Sequence, residues 1–121
     1  MMKYMPNVAY LELNDFNSDM SLKPAVNQGK PAVVMCQGLF CGYCSQAKPA
    51  FVAFANETKG KITACTIQID SETDLSKKIV ELDKNYMGVP IYLGFNANGK
   101  YVRTHSGGRD KDSLFAFAAT L

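Results

Sequence analysis

Four cysteines carry most of the reactive potential of this 121-residue chain: Cys36, Cys41, Cys44 and Cys65. Cys41-Gly42-Tyr43-Cys44 sets two thiols one helical turn apart. A pair at this spacing either exchanges with disulfides or contributes to a metal site. Together the four read C-x4-C-x2-C with a further cysteine downstream, which is also the ligand spacing of a plant-type [2Fe–2S] cluster. The surroundings favour thiol chemistry. Cys36 closes an apolar run, Ala32-Val33-Val34-Met35-Cys36, whereas cluster ligands come from a loop that wraps the metal. Neither a metal nor another cofactor is expected.

The dithiol stands where a strand ends and a helix begins. The run 32–36 has the continuous apolar character of a central strand buried on both faces. Gln37-Gly38-Leu39-Phe40 turns out of it, and from Gly42 to Thr58 apolar residues recur at helical spacing, with Pro49 expected to bend the helix. Cys41 at the start of that helix faces unpaired N–H groups and the positive end of the dipole, both of which stabilise a thiolate. Cys44, one turn deeper, is placed to resolve a mixed disulfide.

The remaining segments supply the scaffold. Val8 to Leu13 reads as an outer strand, and Phe16 to Gln28 as a short helical region interrupted at Pro24. Ile62 to Asp70 alternates as a strand, with Ile62, Ala64, Thr66 and Gln68 opposed to Thr63, Cys65, Ile67 and Ile69. Ser71-Glu72-Thr73-Asp74 starts a helix whose buried stripe is Leu75, Ile79, Leu82 and Tyr86. Ile91 to Phe95 and Lys100 to His105 form a hairpin about Asn98-Gly99, and Asp110 to Leu121 is a closing helix. Parallel β-α-β units followed by an antiparallel hairpin predict an α/β fold, a mixed central sheet of four to five strands with helices on both faces. Residues 1–121 are expected to form a single domain.

Composition narrows the partners. Thirteen basic residues against 11 acidic ones, net +2, with no block of like charge, point away from nucleic acid and from a membrane surface. No segment approaches the roughly 18 apolar residues of a membrane span. The start, Met1 to Asn7, lacks the apolar stretch of a signal peptide, so a cytoplasmic protein is expected. In a reducing compartment the four cysteines are not two structural bridges.

Phe40-Cys41-Gly42-Tyr43-Cys44, Lys48-Pro49 in the next helix, Val89-Pro90 before a strand and the Asn-Gly hairpin together resemble the thioredoxin family, from about Val8 to the C-terminus. The resemblance implies a thioredoxin fold and thiol–disulfide oxidoreductase activity, with Cys41 attacking and Cys44 resolving. It further implies a cis peptide at Val89-Pro90, packed against the dithiol. Backbone groups at Val89 would pair with an extended substrate, and Phe40, Gly42, Tyr43, Val89 and Pro90 would line its docking surface. Partners would be protein disulfides or dithiols and a recycling reductase or small-thiol donor. Family members commonly place a buried Asp where this chain has Met35, and its Lys partner where it has Thr66. That departure supports a second expectation, a thioredoxin-fold interaction or structural subunit with little turnover.

Other candidates are assigned to structure. Cys36 and Cys65 are expected as buried thiols on neighbouring strands. His105 is expected as a solvent-facing or hydrogen-bonded strand residue, and Asp70 as the cap of the following helix. Phe51, Phe54, Phe115 and Phe117 are expected in the core. Asn56-Glu57-Thr58, a formal glycosylation acceptor, is taken as chance.

Overall fold

A computed structural model describes residues 4–86 and 88–121. Met1, Met2 and Lys3, part of the sequence read for a leader, lie outside the described residues.

The chain runs β1 (Ala9–Tyr10), α1 (Pro24–Asn27), β2 (Ala32–Gln37), α2 (Gly42–Thr58), β3 (Thr63–Gln68), α3 (Thr73–Leu82), β4 (Ile91–Phe95), β5 (Tyr101–His105) and α4 (Lys111–Ala118). The strands form one mixed sheet in the order β1-β3-β2-β4-β5. β1 and β2 flank β3 in parallel, while β4 runs antiparallel to both β2 and β5. β2 is central, and every one of its residues is buried. The unbroken apolar sequence of its first five residues, Ala32 to Cys36, follows from that position, because helices cover both of its faces.

Strand alternation sorts the core into two layers. Val33, Met35, Ala64 and Tyr92 pack with Phe51 and Phe54 of α2 and Leu114 and Phe117 of α4. Val34, Cys36, Cys65, Ile67 and Leu93 face the other way, onto Leu75 and Ile79 of α3 and onto Leu11, Phe16 and Leu22. Of the expected aromatic set, Phe51, Phe54 and Phe117 are buried, and Phe115 is half-buried against Phe54. Each fully buried large side chain contributes about 1.5–3 kcal/mol. α4 approaches β4 closely at Gly94, where a Cβ would lie 2.6 Å from Phe117 Cζ. Only glycine allows that approach.

Three segments differ from the sequence expectation. α3 ends at Leu82, so of the expected stripe only Leu75 and Ile79 are fully buried on the helix. Leu82 is half-buried, and Tyr86 lies beyond the helix, half-buried against the same core layer. The stretch Phe16 to Gln28 is not an interrupted helix. A 3-10 turn covers Leu13–Asp15, and the only helix there is the single turn Pro24–Asn27, which Pro24 starts at its first position rather than breaks. Proline is preorganised for that position, where its missing N–H costs nothing. Before it, Asp19 accepts from Ser21 N and Oγ, Asn17 Nδ2 donates to Ser21 Oγ, and Met20 is left-handed at φ 68°. Local side-chain bonds of this kind displace helical ones. The outer strand is also shorter than Val8 to Leu13, since only Ala9 and Tyr10 pair, with Cys65 and Thr66.

Candidate dithiol site

β2 ends at Gln37, and Gly38, Leu39 and Phe40 carry the chain to α2. Asp70, just past β3, fixes this loop: its Oδ2 accepts the Leu39 N–H at 3.1 Å. A Cβ on Gly38 would stand 3.1 Å from Asp70 Oδ1, so the close approach uses the glycine. The expected role of Asp70 as cap of the next helix is therefore corrected. The N-cap of α3 is Glu72, without a side-chain bond to the helix.

Cys41 is the N-cap of α2 in extended conformation, and its Sγ accepts the backbone N–H of Cys44 at 3.0 Å. An N-cap side chain normally offers oxygen to this donor; here sulfur does, at the positive end of the helix. The two cysteines are joined as a disulfide, with Cα atoms 5.1 Å apart. Cys44 is fully buried against the α2–α4 core layer, whereas Cys41 is half-buried. Val89 O lies 3.8 Å from Cys41 Sγ, and the Val89–Pro90 peptide is cis. Phe40 is 99% exposed and Tyr43 66% exposed, with Leu39 also on the surface. Gly42 is exposed in the first turn of α2, Val89 is half-buried and Pro90 buried. The seven site residues inferred from sequence thus fall on two segments that meet at the Cys41 sulfur.

The sheet also carries a buried polar pair: Thr66, which the sequence marks only as standing where family members commonly place Lys, and Gln37, expected in the turn but found as the last residue of β2. Met35 and Thr66 are register partners across β2 and β3. Thr66 Oγ1 donates to Met35 O at 2.7 Å and accepts from Gln37 Nε2 at 2.7 Å. Gln37 and Thr66 are both fully buried, and Gln37 Oε1 has no partner among the described residues. Alternation along β2 puts Gln37 on the face of Val33 and Met35, the layer that also contains Cys44. A polar residue at the end of an otherwise apolar central strand was the available signal.

A second missed residue is Arg109, whose guanidinium carbon stands 5.6 Å from the centre of the Tyr43 ring. The remaining cysteines are remote in character. Burial pushes the Cys36 and Cys65 thiols up to about 12, and both sit in the opposite core layer from Cys44. The four cysteines therefore do not converge on one point. His105 is hydrogen-bonded, with Nε2 2.8 Å from Gly108 O and its ring stacked on Phe117 at 4.9 Å.

The sequence matches the family model for thioredoxin over residues 8–120. The chain belongs to the thioredoxin family. Its five-stranded mixed sheet with flanking helices is the thioredoxin fold, and Cys41–Cys44 is the family's CxxC pair. Among known relatives, a putative thioredoxin-like protein 453L of Invertebrate iridescent virus 6 is 29% identical, covering 78% of this chain and 79% of its own. Protein disulfide-isomerase tigA of Aspergillus niger is 29% identical over 76% of this chain, and erp38 of Neurospora crassa is 28% identical over 78%. This thioredoxin-family chain spans 25% of the length of each of those isomerases. Among solved structures, the J-Trx1 fragment of ERdj5 superimposes with a TM-score of 0.71 at 25% identity, covering 96% of this chain and 52% of that one. The thioredoxin Mala s 13 of Malassezia sympodialis gives a TM-score of 0.70 at 18% identity, covering 93% of this chain and 89% of its own. Relatives of this kind support thiol–disulfide oxidoreductase chemistry in general terms. Among the described residues no helix is long and apolar enough to cross a membrane.

Proposed function

We propose that residues 1–121 act as one thioredoxin-like domain that reduces or exchanges disulfides in protein substrates through Cys41 and Cys44. The observation that carries this is the position of the Cys41 sulfur: half-exposed, at the N-cap of α2, accepting an N–H from Cys44 at 3.0 Å. A thiolate there is favoured by the same donor and by the helix dipole.

In the reduced protein, the Cys41 thiolate attacks one sulfur of a substrate disulfide. A mixed disulfide forms and one substrate thiolate leaves. Cys44, deprotonated, then attacks Cys41 Sγ and releases the second substrate thiolate, so two electrons pass from the dithiol to the substrate. The reverse sequence oxidises a substrate dithiol. A reductase or small-thiol donor resets the pair, and the working compartment is the cytoplasm. Phe40 and Tyr43 offer apolar surface to the substrate beside Cys41, while Gly42, Val89 and Pro90 leave its approach open and offer backbone groups for pairing.

A thioredoxin-fold interaction subunit is the second reading, and one observation favours it. No Asp or Glu is buried among the described residues, so Cys44 has no enclosed carboxylate to take its proton. Insulin reduction with dithiothreitol as donor separates the two readings. The oxidoreductase reading requires turnover above the dithiothreitol background and its loss in Cys41→Ser. Background rates in the wild-type protein, with recovery in a stable large complex from native extracts, would favour the interaction subunit.

A further inference from the structure

Beside the dithiol lies a shallow groove between α2 and the start of α4, lined by Tyr43, Gln46, Ala47, Ala50, Arg109 and Asp110. Its charges are unequal in availability. Asp110 is the N-cap of α4: its Oδ2 accepts Ser113 N at 3.1 Å and its Oδ1 accepts Ser113 Oγ at 2.6 Å. Those bonds hold its carboxyl below the usual range. The next cation, Lys111, is engaged by Glu57 at 2.8 Å. Arg109 differs from both. It is exposed, its guanidinium carbon sits over the Tyr43 ring, and its N–H groups have no carboxylate partner among the described residues. Packing on an aromatic face limits the side chain's freedom and leaves a planar set of donors matched to a carboxylate.

Tyr43 lies between the two cysteines in sequence and is exposed, so the guanidinium over its ring borders the surface open to a substrate segment held at Cys41. The geometry points to Arg109 as a specificity-determining residue that favours protein substrates carrying an Asp or Glu within one to three residues of the target cysteine. The occupant of the groove is thus an extended, acidic segment of the substrate, with the Tyr43 ring against its apolar atoms and Arg109 on its carboxylate. This rests on the oxidoreductase reading above and adds to it the chemical class of the preferred substrate.

The test uses the full chain and a set of peptides with one intermolecular disulfide, identical except for Glu, Gln or Lys scanned over the three positions on either side of the cysteine. The readout is the ratio of kcat/KM for Glu to that for Gln at each position. A ratio of about two to five is expected at one or more positions at low ionic strength, typical of a surface charge pair. It falls towards one in about 0.5 M salt, where screening shortens to a few ångströms. In Arg109→Gln the ratio drops to one, in Arg109→Glu the Lys peptide becomes the preferred one, and Arg109→Lys retains a reduced preference. Equal rates for Glu and Gln at every position, or a preference undiminished in Arg109→Gln, would overturn the assignment while leaving the oxidoreductase reading intact. Absence of turnover on every peptide would sink both.

Discussion

The amide of Cys44 reaches back to the sulfur of Cys41 at 3.0 Å, so the first turn of α2 is capped by the atom proposed to do the chemistry. Reduction leaves Cys41 at the same N-cap, where an anion is favoured and a neutral thiol is not. The Cys41 thiol is therefore expected to ionise below the roughly 8.5 of a free cysteine. The pH dependence of iodoacetamide alkylation of the reduced protein measures this directly, and an apparent pKa at or above that value would remove the activation argument.

The contrast in burial between the two thiols predicts separate phenotypes. Cys41→Ser is expected to reduce insulin turnover to background, since the exposed nucleophile is gone. Cys44→Ser retains attack but lacks the resolving thiol, so it accumulates mixed disulfides. Mass spectrometry of the Cys44→Ser protein after exposure to a disulfide peptide checks for the adduct. An unmodified protein would show that Cys41 does not attack.

Much of this was legible in the sequence, for reasons visible in particular residues. The apolar run 32–36 announced a strand buried on both faces, and the alternation of Ala64 and Cys65 correctly divided β3 between the two core layers. Local signals failed where the decisive contact is remote. Pro24 reads locally as a helix breaker but begins a helix, and Asp70 reads as a cap for the nearest helix but bonds to Leu39 on another segment. Arg109 over Tyr43 joins the start of α4 to the start of α2, a proximity that no local pattern encodes.

Gln37 and Thr66 form a buried hydrogen-bonded pair at 2.7 Å where an apolar layer would otherwise continue. Thr66→Val removes the acceptor of Gln37 Nε2 and the donor to Met35 O. It is expected to cost about 1–3 kcal/mol, because a buried donor is left unpaired. Adding Gln37→Leu should recover part of that loss, a coupling that urea denaturation of the single and double variants would measure. Strictly additive losses would mean that the two side chains do not act as a unit.

Cys36 and Cys65 are pushed up to about 12 by burial, and Tyr92 likewise to about 12. In the unfolded chain the thiols ionise near about 8.5. Between that value and 12 the native state holds protons that the unfolded state has lost, so stability falls as pH rises. The stabilisation is complete below the unfolded value and is lost towards 12, at about 1.4 kcal/mol per pH unit for each group titrating. Denaturation series from about pH 8 to 11 under reducing conditions should show a steep decline. The decline is expected to be shallower in Cys36→Ala/Cys65→Ala, and an unchanged slope would indicate that the thiols are not desolvated.

The central claim is that Cys41 and Cys44 form a reversible redox couple, and its most direct test is the reduction potential of the pair, found by equilibrating the protein with glutathione or dithiothreitol buffers. A single reversible two-electron transition between about −270 and −120 mV, absent in Cys41→Ser, is the expected result, with the lower end marking a reductant and the upper end an oxidant or isomerase. A pair that cannot be cycled between dithiol and disulfide would contradict the account.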